Sequence, residues 1–266
     1  MNAKNIIINS SLLFIISSVF MTNLHELGHF ITAIVVKAEN VRLFHNYVTY
    51  DSDLLPLHFK ILITAAGPIV SLLVGLLFHL VCANYKQRNL LFLFYLYMTV
   101  FGYISFFGYL MVSPFFIEGD TGYIFNELGF SFWLTLLISF TGIASIFFIL
   151  KKLSKYFAEM GTKEVLGNAD LRKQFANSLI LYPLFIGIIS TTLLNLPVPV
   201  FLSLLYPLFS PLAIMFCYGN LLGNKYSAKM FNENFHQIDK IQPMLFGYLA
   251  LIIIMNRLLV LDFSVH

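Results

Sequence analysis

Residues 6–36 read IIINSSLLFIISSVFMTNLHELGHFITAIVV, an apolar run with His25-Glu26-Leu27-Gly28-His29 in its later half. A spanning helix needs about 20 mostly apolar residues, so this run is longer than one crossing requires and predicts a helix that is tilted, kinked or sunk into a protein interior. Two imidazoles and a carboxylate inside such a run are costly to bury, which makes them functional candidates. The run continues through Phe20 and Met21 without a small-residue cleavage site, so it reads as a retained helix rather than a signal peptide.

On a helix, His25 and His29 lie four residues apart and project from one face, where both rings can grip a single metal ion, with Glu26 beside them. Neutral imidazoles suit zinc, and two of them with one acidic oxygen leave a fourth tetrahedral position open, as catalytic sites require. Bound zinc lowers the pKa of water to about 7, and Glu26 is placed to take that proton and pass it to a leaving amine. The chemistry indicated is amide hydrolysis. Gly28, with Leu27, Phe30 and Ile31, suits packing against neighbouring helices.

The rest of the chain matches this opening. Of 266 residues, 59% are hydrophobic and only 11% charged, where a soluble domain carries about a quarter charged. The expected fold is all-α: one polytopic membrane domain over 1–266 with six to seven spanning helices. The helices are placed at about 6–36, 61–83, 90–112, 128–150, 175–194, 198–222 and 244–261. Residues 6–127 form a metal-bearing core and 128–266 supply additional helices. A short hairpin is possible after the first helix, where Val41-Arg42-Leu43-Phe44 and Tyr47-Val48-Thr49-Tyr50 alternate, and its edge would suit an extended peptide.

Small residues at Ala65-Ala66-Gly67-Pro68, Ser71 and Gly75 predict close packing of the second helix. His79 reads as a hydrogen-bonded interior residue, and Cys82 and Cys217 as core residues rather than a disulfide or metal pair. Trp133 sits where an interface anchor belongs. Pro197 and Pro199 predict a tight turn, while Pro207 and Pro211 should interrupt the helix that follows.

The net charge of +3 is modest and its basic residues fall in connections, so it speaks for membrane orientation and against nucleic-acid binding. Lys151, Lys152, Lys155, Lys163, Arg172 and Lys173 crowd one connection, and Lys225, Lys229 and Lys240 another. Placing these with Lys86 and Arg88 in the cytoplasm directs the His25–His29 half of the first helix toward the outer face. The connection Glu118-Gly119-Asp120-Thr121-Gly122 then lies toward that same face. Its two carboxylates beside glycines make it the source of a third ligand, with Glu118 and Asp120 as rivals.

With these residues in hand, the chain resembles the site-2 protease family of intramembrane zinc metalloproteases. His25-Glu26-Leu27-Gly28-His29 is similar to its H-E-x-x-H, Ala65-Ala66-Gly67-Pro68 to its small-residue helix start, and Ser113-Pro114 to Asp120 to its N-x-x-P…D-G segment. The three occur in the family's order within the first half of the chain. Met111 stands where the family commonly has Asn, Thr121 separates Asp120 from Gly122, and Ser71 replaces a frequent Asn. Family members usually hold the metal nearer the cytoplasmic face, opposite to the loop-charge assignment. The resemblance implies zinc held by His25, His29 and Asp120, Glu26 as general base, and cleavage of a membrane-associated polypeptide or small peptide precursor. It also implies a multi-pass protein of a bacterial cell membrane. The alternatives are a transporter component whose polar motif lines an ion path, and an inactive relative that binds membrane clients.

Overall fold

The computed structural model describes residues 1–198, 201–223, 238–261 and 263–265. Among these, seven helices are long and apolar enough to cross a membrane: Ala3–Val35, Leu57–Asn84, Leu90–Val112, Phe132–Ala158, Ala169–Leu194, Leu205–Leu222 and Pro243–Leu261. The protein is a helical, multi-pass membrane protein with one small sheet.

Helix α1 (Ala3–Val35) and helix α3 (Leu90–Val112) form the centre. About 72% and 67% of their most apolar windows is buried, against 17 to 39% in the other five spans. Phe14 of α1 meets Phe101 of α3 edge-on, with ring centroids 4.8 Å apart. Helix α2 (Leu57–Asn84) closes on α3 at Gly75 and Gly102, where a Cβ on Gly102 would lie 2.6 Å from the Gly75 Cα. Only glycine permits that approach, the small-residue packing expected of this helix. His79 is hydrogen-bonded to the Tyr103 hydroxyl at 2.8 Å, and both cysteines are buried and free.

Helix α4 (Asp120–Glu127) is short and follows the turn after Pro114. Helix α5 (Phe132–Ala158) begins later and ends later than the apolar run suggests. Ser131 caps its start, accepting from the Leu134 N–H after Gly129 turns at φ 69°. At its other end lysine is a good helix former: Lys151 lies over the Phe147 ring and Lys155 over Tyr156, so the helix runs on through the basic cluster. Helices α6 (Lys163–Gly167) and α7 (Ala169–Ala176) occupy the remainder of that connection. Arg88 lies in the connection between α2 and α3, as read above, where it is buried and paired with Glu159 at 2.7 Å.

The fifth span passes through a π-turn at Asn177–Leu181 into helix α8 (Tyr182–Leu194). Pro183 has no N–H for the carbonyl four residues earlier, Leu179. That carbonyl is taken instead by Ser10 Oγ at 2.7 Å and Tyr97 OH at 2.8 Å, so the irregular turn is tied to α1 and α3. The sixth span is interrupted as its prolines require: 3₁₀ turns at Phe201–Leu204 and Ser210–Ile214 flank helix α9 (Leu205–Phe209), and helix α10 (Met215–Leu222) follows. Pro199, Lys225 and Lys229 lie outside the described residues. Helix α11 (Pro243–Leu258) is the last, and Asn9 clasps the chain before it, donating to the carbonyls of Ile238 and Lys240.

The hairpin expected after α1 is present as β1 (Glu39–Leu43) and β2 (Val48–Asp51), antiparallel. A third strand, β3 (Phe263–Val265), pairs with the other side of β1 and gives the order β2-β1-β3. β1 is therefore the centre of the sheet, and among the described residues the outer edges of β2 and β3 are unpaired.

Candidate metal centre

His25 and His29 come from the same face of α1, and Asp120 reaches them from the first residue of α4. Asp120 Oδ2 lies 3.0 Å from His25 Nε2 and 3.4 Å from His29 Nε2, and the two Nε2 atoms are 3.1 Å apart. The three residues form the metal-competent group found among the described residues. Both histidines and Glu26 are buried, with 4, 8 and 7% of their surface exposed.

The far side of each ring decides what these atoms can do. His29 Nδ1 is 2.7 Å from the Ile63 carbonyl, which only accepts, so Nδ1 carries the proton and neutral His29 presents a lone pair at Nε2. His25 Nδ1 is 3.1 Å from Ser71 Oγ, and Ser105 Oγ donates to that same serine oxygen at 3.1 Å. With Nδ1 donating to Ser71, the neutral His25 ring also presents Nε2 as an acceptor. Two imidazole lone pairs and a carboxylate then converge on one point, an arrangement that only a proton or a cation relieves. The other ring nitrogens are held as in metal-ligating histidines, whose tautomer is set by the partner of the second nitrogen.

Space for the ion is left by a missing side chain. A Cβ on Gly67 would lie 2.2 Å from His29 Nε2 and 2.7 Å from His25 Nε2. Gly67 belongs to the small-residue stretch read above as helix packing, and its second effect is to keep the space beside both nitrogens open. Gly28 does serve packing, since a Cβ there would sit 2.9 Å from the Ala66 carbonyl oxygen. The donor set, the second partners and the glycine gap together fit zinc or a similar divalent ion.

Asp120 is held by its own short helix. Thr121 Oγ1 donates to the Tyr109 carbonyl at 2.7 Å, and Gly122 lies so close to the Phe116 carbonyl that a Cβ would clash at 1.9 Å. Burial opposes ionisation of Asp120, whereas a proton carried by the adjoining His29 or His25 ring, in the place a cation would take, holds its carboxyl well below the usual carboxylate range.

The group opens on a cavity of about 740 Å³, lined by His25, Glu26 and His29, by Val48 and Tyr50 of β2, and by Tyr206 of α9 among others. A smaller chamber of about 60 Å³ adjoins Glu26, walled by Thr22, Asn46, Asn195 and Ser203. Glu118 lines the larger cavity but is not part of the three-residue group, so of the two rival acids Asp120 is the one brought to the imidazoles. Ser71, Tyr109 and Tyr206 carried no signal that sequence reading used for the site. Ser71 was read as a small packing residue and as a departure from the family pattern, although it keeps a hydrogen-bonding group one helical turn from Gly67. Tyr206 reaches the cavity from the second half of the chain, which therefore contributes to the site as well as adding spans.

No family model, curated protein or solved structure matches this chain.

Proposed function

We propose that this chain is an intramembrane zinc metalloprotease of the site-2 protease type, seated in a bacterial cell membrane and cleaving a membrane-associated polypeptide or small peptide precursor. The observation that carries the reading is the convergence of His25 Nε2, His29 Nε2 and an Asp120 oxygen within 4.8 Å of one another, beside Glu26 and at the wall of a cavity. Zinc held by these three residues supplies Lewis acidity, making water acidic near neutral pH and polarising a carbonyl. Glu26 accepts the proton from the attacking water and returns it to the leaving amine. Buried among helices, it does so away from lipid. A helical substrate hides its carbonyls in hydrogen bonds, so the cleaved segment must be extended when it reacts. β2 lines the cavity through Val48 and Tyr50 and, among the described residues, has an unpaired outer edge that would offer a backbone partner to such a segment.

The test is zinc content per purified chain, compared across wild type, His25→Ala, Asp120→Asn and Glu118→Gln at matched folding. About one zinc in the wild type, lost in His25→Ala, sharply weakened in Asp120→Asn and kept in Glu118→Gln, supports the site. Glu26→Gln should bind zinc yet fail to cleave a detergent-solubilised model membrane peptide; normal cleavage by that variant overturns the assigned base. A well-folded wild type that takes up no zinc overturns the protease reading. It would favour a non-catalytic protein that moves or binds a ligand through the cavity beside the broken segment Phe201–Ile214.

A further inference from the structure

We propose that Lys60 is a specificity residue of the large cavity, binding a carboxylate of the substrate about three residues from the cleaved bond; this rests on the zinc reading above. Lys60, Ile63, Thr64 and Gly67 stand at i, i+3, i+4 and i+7 of α2, which places them on one face of the helix. At one end of this row Gly67 lies against both Nε2 atoms, and a turn earlier the Ile63 carbonyl holds His29. Lys60, Ile63 and Thr64 all line the cavity onto which the metal centre opens. The row therefore runs along one wall from the metal centre to Lys60. Seven residues of helix advance about 10 Å along the axis, a length that an extended peptide covers in about three residues. Val48 and Tyr50, on one face of β2, line the same cavity, so a strand-like segment has a wall to lie along.

Lys60 is half-buried and, among the described residues, is the one lysine or arginine that lines the cavity. No described carboxylate lies within ion-pair distance of it: Asp120 is engaged with the histidines, and Glu118, on the wall of the same cavity, makes no ion pair with it. Nor does the charge serve its own helix, since the dipole disfavours a cation in the first turn. Beside apolar neighbours such as Val48, Ile63 and Leu205, an ammonium is weakly screened, and a carboxylate brought against it forms a charge-assisted hydrogen bond. A basic group at the same place on the substrate meets like charge and is rejected.

The probes are hydroxamates, which chelate the metal and carry a three-residue arm, bound to the cobalt(II)-loaded full chain in detergent and read by visible absorption. In one series the arm runs on to a C-terminus, left as the acid or amidated. In the other it lies on the amino side and carries glutamate or glutamine as its third residue. The expected result is that the carboxylate member of one series binds about 10-fold or more tighter than its neutral partner. Lys60→Met should abolish that gap and Lys60→Glu invert it, with cobalt uptake unchanged because Lys60 stands outside the ligand group. A preference in the first series assigns the carboxylate to the substrate's chain end, and one in the second assigns it to an acidic side chain. Equal binding within both series by the wild type, or a preference that survives Lys60→Met, overturns the proposal even where the zinc reading stands. A wild type that takes up neither zinc nor cobalt overturns the zinc reading itself, and the proposal with it.

Discussion

The two histidines and the aspartate reach the same point from very different kinds of structure. His25 and His29 ride on α1, a helix of 33 residues at the centre of the molecule, and their outer nitrogens are held by α2. Asp120 stands at the start of an eight-residue helix tied to α3 by the Thr121 hydroxyl bond and seated by the tight fit of Gly122 against the Phe116 carbonyl. Two ligands are therefore part of the scaffold, and the third is delivered to it. On the function proposed above, such a division would suit a site that keeps its geometry while a polypeptide passes one side, because the shorter element would carry a single ligand.

Breaking the scaffold side should have the largest effect. Gly67→Ala puts a methyl group into the space beside both Nε2 atoms and should abolish zinc uptake, although alanine is favoured over glycine in a helix by about 1 kcal/mol. Zinc content with circular dichroism checks this, and a variant that folds and binds zinc normally would show that the gap is not the ion's place. Ser71→Ala removes the partner of His25 Nδ1 and should weaken zinc by about 10-fold or more, measured by chelator competition. The delivered side should respond more gently. Thr121→Val deletes the bond between α4 and the Tyr109 carbonyl and should lower stability by about 1 kcal/mol, with a smaller loss of zinc affinity. If Thr121→Val proved as damaging as Gly67→Ala, the contrast between the two sides would fail. The smallest effect belongs to Glu118→Gln, which should leave zinc affinity unchanged because Glu118 stands outside the ligand group.

The same contrast marks what could be read from the sequence. His25 and His29 were legible because a four-residue spacing on a helix is a local relation, and the apolar runs were legible because a membrane span is long and nearly uniform. The choice between Glu118 and Asp120 was not legible, since two acids two residues apart look alike until the start of α4 sets their directions. Gly67 was legible as a packing residue, which it is, but not as a neighbour of the two imidazoles: a missing side chain does not say which group it stands against. β3 was missed altogether, because three residues have no usable periodicity and their partner lies near the other end of the sequence. Tyr206 belongs to a span broken by proline, where helical spacing no longer tells which residues face inward.

β3 also bears on the order in which the molecule is made. β1 and the ligands on α1 leave the ribosome early, and the α2, α3 and α4 parts of the site follow within the first half of the chain. Residues 263–265, which pair with the other side of β1, follow all seven spans. Until they are made, β1 keeps one edge open, able to pair with another extended segment as readily as with its own. The sheet is thus complete only after every helix described here has been made, later than the residues of α1, α2 and α4 that meet at the site.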